Sequence, residues 1–76
     1  MTFYQKLQAH EGGLIKLYIP EGRGMSSLSG KTGMVYSVPE SFFDRSWGFI
    51  VHLLIDGKFH TVLLYEEETQ FLEGSG

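Results

Sequence analysis

Three histidines, three clustered serines, a glycine-rich segment and a run of glutamates are the residues of this 76-residue chain that could carry chemistry. His10, His52 and His60 are candidate metal ligands or proton carriers. No two stand at metal-ligand spacing, and with no cysteine there is no thiolate to complete a zinc set. Gly24 to Thr32 ends in Gly30-Lys31-Thr32, as a phosphate loop does. Five residues separate the two glycines where a phosphate loop needs four, and the residues that follow read as a strand rather than a helix. Ser26, Ser27 and Ser29 lie in what reads as a mobile surface loop, with no base placed beside them by spacing. Glu66, Glu67 and Glu68 read as a solvated acidic turn rather than as paired catalytic carboxylates. These patterns predict no catalytic residue, no metal site and no cofactor.

Bulk composition narrows the function classes further. A chain this short buries only about 60% of the surface its unfolded form exposes, so it holds one domain. An apolar share of 42% and an aromatic share of 14% belong to a folded chain. The net charge of −3, with Lys6, Lys16, Arg23, Lys31, Arg45 and Lys58 scattered, gives no general attraction for a phosphate backbone. No apolar stretch approaches the roughly 20 residues that span a bilayer, and the first residues lack the pattern of a secretory signal. The reading is a cytoplasmic protein with no membrane partner.

The elements that must position any site follow from periodicity. Thr2 and Gln5 have the spacing of a capping box before Phe3, Tyr4 and Leu7, predicting a short helix over 3–9 that Gly12 and Gly13 end. Strands are predicted at 14–19, 33–38, 47–55, 58–65 and 69–72, with loops at 20–32 and 39–46 and a tail at 74–76. Asp56-Gly57 is the signal for a two-residue hairpin turn. That turn sets Ile55 opposite Lys58, Leu54 opposite Phe59, Leu53 opposite His60, His52 opposite Thr61, Val51 opposite Val62 and Ile50 opposite Leu63. His52 and His60 then point to opposite faces. Glu66 to Glu68 is expected to form one turn of 3₁₀ helix.

The fold class expected from these elements is all-β, with five strands and a short N-terminal helix. Gly13-Leu14-Ile15-Lys16-Leu17, Gly30-Lys31-Thr32-Gly33-Met34-Val35, Val51 to Lys58, Val62 and Leu72, taken in order, resemble the KOW-like branch of SH3-like small barrels over residues 12–73. The resemblance implies a five-stranded SH3-like barrel preceded by the helix over 1–11. It implies no activity, because such barrels host ligands, RNA, protein partners and occasional enzymes. Independently of it, Gly33 suits a close backbone approach at a barrel corner. Acidic, cysteine-free chains of this kind also resemble small proteins of phages and mobile elements.

The hairpin carries the best functional clue. One face collects Phe49, Val51, Leu53, His60, Val62 and Leu64; the other collects Ile50, His52, Leu54, Phe59 and Leu63. A small barrel has one interior, so the second face needs a cover. Two arrangements supply one: the helix lying across it through Phe3, Tyr4 and Leu7, or a protein partner, including a second copy. Phe42, Phe43 and Trp47 are candidate loop anchors for a partner. The function read from these features is a noncatalytic protein-binding or self-assembly module forming a homo-oligomer. The first alternative is a KOW-like nucleic-acid-binding protein, which needs Lys16, Arg23, Lys31 and Arg45 to cluster. The second is an enzyme assembled only in a homo-oligomer, as in the type II dihydrofolate reductases, which are similar in size. This chain departs from their Val-Gln-Ile-Tyr segment, with Val62-Leu63-Leu64-Tyr65 in its place.

Overall fold

The structure is a computed structural model, and it describes residues 2–22, 24–40 and 48–72. The chain starts in helix α1 (Phe3–Ala9), whose Thr2 hydroxyl accepts the Gln5 N–H while the Gln5 side chain accepts the Thr2 N–H. This reciprocal cap satisfies two donors that a seven-residue helix would otherwise leave open. His10 follows the helix. Its Nε2–H donates to the Leu14 carbonyl at 2.8 Å, and its ring stands edge-on to Phe71.

Five antiparallel strands follow: β1 (Leu14–Leu17), β2 (Thr32–Ser37), β3 (Phe49–Ile55), β4 (Lys58–Leu64) and β5 (Thr69–Phe71). They form one sheet in the order β4-β3-β2-β1-β5. The β3–β4 register matches the expected one at every pair from Ile55 opposite Lys58 to Ile50 opposite Leu63, and continues to Phe49 opposite Leu64. Asp56 and Gly57 both have positive φ, 52° and 77°, as a type I′ turn requires. Gly33 makes the expected close approach, since a Cβ there would lie 2.7 Å from Ile55 Cγ1. Glu66–Glu68 forms the expected 3₁₀ turn.

The closed barrel is not formed. The described strands make an open sheet whose edges are β4 and β5, unpaired with each other. Side chains rather than a ladder connect the two ends: Phe3 of α1 touches Phe49 of β3 and Phe71 of β5, with ring centroids 6.2 and 6.1 Å apart. Strand β1 is shorter than the expected 14–19, because Tyr18 N–H donates to the Glu68 carbonyl and Ile19 N–H to Ser29 Oγ. The segment read as a mobile surface loop is instead pinned at several points. It contains a 3₁₀ turn (Ser26–Leu28), buries Leu28, and exchanges backbone hydrogen bonds with Leu17 through Gly30 and Lys31.

One core fills the inner side of the sheet. Ile15, Leu17, Val35, Val51, Leu53, Ile55, Val62 and Leu64 point into it, and Phe3, Leu7, Ile19, Leu28 and Val38 cover it. Alternation along the strands therefore sends their intervening side chains to the opposite, outer face. No helix among the described residues is long and apolar enough to cross a membrane.

Candidate functional site: the outer face of the sheet

The outer face is built by register. Leu14 lies opposite Met34, Met34 opposite Leu54, and Leu54 opposite Phe59, so one apolar row crosses four strands from β1 to β4. Ser37, His52 and Thr61 form the next row, and Ile50 and Leu63 the third. All five residues assigned to this face from sequence, Ile50, His52, Leu54, Phe59 and Leu63, lie on it. Four are half-buried by their neighbours, whereas Phe59 is 67% exposed.

Helix α1 does not cover this face, which corrects one of the two expected arrangements. Phe3 and Leu7 are buried in the core on the inner side, and Tyr4 packs on Phe49, an inner-face residue. The reason is geometric: the short β5 leaves the inner core open between Phe49 and Phe71, and the helix's apolar side chains fill that opening.

Two further residues, Met34 and Tyr36 of β2, belong to the site. Tyr36 is 58% exposed and meets Phe59 edge-to-face, with ring centroids 5.1 Å apart at 74°. The alternation of Val35 with Met34 and Tyr36 carries part of this signal. The rest lies in the β2–β3 pairing, where Val35 faces Leu53 but Ser37 faces His52. This one-residue bulge turns the consecutive residues Tyr36 and Ser37 toward the same hollow. With His52 and Phe59 they line a shallow, almost wholly apolar depression of about 290 Å³. Of its lining residues, His52 has its Nδ1 3.0 Å from Thr61 Oγ1.

The remaining chemistry-bearing residues do not converge. His60 shares the inner register of Leu53 but is only half-buried, because it sits near the hairpin end rather than in the interior. No group of three metal-ligating side chains occurs among the described residues. Glu66 is paired with Lys6 at 3.1 Å, while Glu68 is buried and accepts the Tyr65 N–H, so the glutamate run is not uniformly a solvated turn. Lys31 donates to Asp56 Oδ2 at 2.9 Å and holds that carboxyl below its ordinary range, with smaller contributions from His60 and Lys58. Lys16 lies over the Tyr18 ring. Phe42, Phe43 and Trp47, and the cations Arg23 and Arg45, lie outside the described residues.

No protein-family model, curated protein or solved structure matches the chain.

Proposed function

We propose that this chain is an SH3-like domain acting as a noncatalytic protein-binding or assembly module, with the outer face of β2, β3 and β4 as its working surface. The carrying observation is the bare aromatic pair on that face: Tyr36 and Phe59 remain 58% and 67% exposed, while the N-terminal helix packs on the inner side. Leaving large apolar side chains in water as one contiguous patch is the mark of an interaction surface. Exposed tyrosine and phenylalanine flanked by half-buried aliphatics have the composition of an interface centre. The SH3-like reading is supported by the meander of β1 to β4, the Asp56-Gly57 turn, and a 3₁₀ turn leading to a last strand beside β1.

Panning a random-peptide library on the immobilised chain and mapping the selected peptides by NMR tests the reading. Peptides with aromatic or aliphatic anchors are expected to shift Tyr36, His52, Leu54 and Phe59, and to lose binding to Leu63→Glu. Selected peptides that seat on another surface, or that bind Leu63→Glu as well as the native chain, would contradict it.

A further inference from the structure

We infer that the occupant of the outer face is a second copy of this chain, packed sheet against sheet about a twofold axis. In that arrangement each copy's Phe59, which lines the hollow together with Tyr36, Ser37 and His52, packs into the hollow of the other. The inference rests on the binding reading above and deepens it by naming the partner.

Three observations favour a second copy. The first is charge. The chain carries a net charge of −3, so copies meet with least local repulsion on a surface without carboxylates. The outer positions of β2, β3 and β4 are Thr32, Met34, Tyr36, Ile50, His52, Leu54, Phe59, Thr61 and Leu63. None is an aspartate, glutamate, lysine or arginine. On β1 the same face carries Lys16, opposite Thr32, so a basic partner has no carboxylate here to recognise and an acidic one has a single lysine at the rim.

The second observation is shape. A depression of about 290 Å³ falls just below the roughly 300–1,000 Å³ of sites that enclose small molecules. It has room for one aromatic side chain, and this face itself presents one, Phe59. A hollow with an exposed ring, Phe59, as one of its walls is compatible with an isologous interface, in which the same patch serves both copies. Two sheet faces stacked in this way pack about 10 Å apart, the spacing of a β-sandwich.

The third is area. At about 200 Å² for a fully exposed aromatic side chain, the exposures of Tyr36 and Phe59 leave about 250 Å² of ring-bearing surface in water. The half-buried aliphatics and Leu14, which is 38% exposed, bring the patch to about 500 Å², near the roughly 600 Å² per partner of the smallest specific interfaces. A patch of this size belongs with the weak, transient interfaces.

Sedimentation velocity from about 5 µM to about 1 mM, on the native chain, Phe59→Ser and Thr61→Lys, tests it. Phe59→Ser removes the inserted ring, and Thr61→Lys places a charge at an exposed central position without removing a packed side chain. The expected result is a monomer–dimer equilibrium in the native chain that each substitution weakens at least about tenfold, with the urea midpoint of dilute Thr61→Lys retained. A chain that stays monomeric throughout overturns the self-pairing and leaves the peptide-mapping result to decide the binding reading. A dimer indifferent to both substitutions overturns the assignment of the interface to this face.

Discussion

The two faces of the sheet predict opposite responses to removing a large apolar side chain. Leu7 is fully buried beneath the sheet's inner face, and Leu7→Ala removes its core contacts and leaves a cavity, costing about 2–5 kcal/mol. Stability for a chain this short is roughly 4–11 kcal/mol, so the loss is a large fraction of the total. Phe59→Ala removes a larger side chain, yet about two thirds of Phe59 is already in water. At about 25 cal/mol per Å², its buried third contributes at most about 1.6 kcal/mol, and its contact with Tyr36 falls within the same range. Urea unfolding of both variants in dilute solution, where self-association adds nothing, reads the difference. Leu7→Ala is expected to lower the midpoint by about 2 M or more, taking a slope near 1 kcal/mol per M. Phe59→Ala should shift it by less, about 1.6 M at most. Equal losses would refute the assignment of the helix to the inner face and the bareness of the outer one.

Three further outcomes follow from single contacts. Gly48 has φ +91°, and a Cβ there would land on the Leu64 carbonyl, so Gly48→Ala is expected to cost about 3 kcal/mol or more by urea unfolding. Asp56→Asn keeps a favourable turn dipeptide but removes the charge that Lys31 stabilises. Because the folded carboxyl titrates below its unfolded value of about 3.9, its contribution is complete above that value and is lost as pH falls through the folded one. The stability gap between the native chain and Asp56→Asn should therefore close on acidification, as urea midpoints at a series of pH values will record. Thr2→Ala opens the capping box and should cost about 1 kcal/mol, with faster amide exchange at Gln5.

The hairpin and the helix were legible because local chemistry decides them. Asp56-Gly57 accepts positive φ at both positions, which leaves one register for Ile50 to Leu63, and Thr2 with Gln5 starts the helix where it is observed. What periodicity does not carry is where the elements meet. The same Phe3, Tyr4 and Leu7 stripe suits either face of the sheet, and only the opening between Phe49 and Phe71 selects the inner one. The extra residue between Val35 and Ser37 is likewise invisible as a pattern, yet it brings Tyr36 and Ser37 together beside His52. The pinning of residues 24–31 depends on long-range partners, Ser29 with Ile19 and Gly30 with Leu17, that glycine and serine content conceals.

Side-chain relaxation from a soluble paramagnetic agent, at low and high protein concentration, reads whether the outer face is bare in the isolated chain and covered by its own copy. Strong relaxation of the Phe59 and Tyr36 rings and the Leu54 methyls is expected in dilute solution, falling on concentration, with Leu7 and Val51 protected throughout. Protection of Phe59 and Leu54 in dilute solution, or exposure unchanged by concentration, would contradict that expectation.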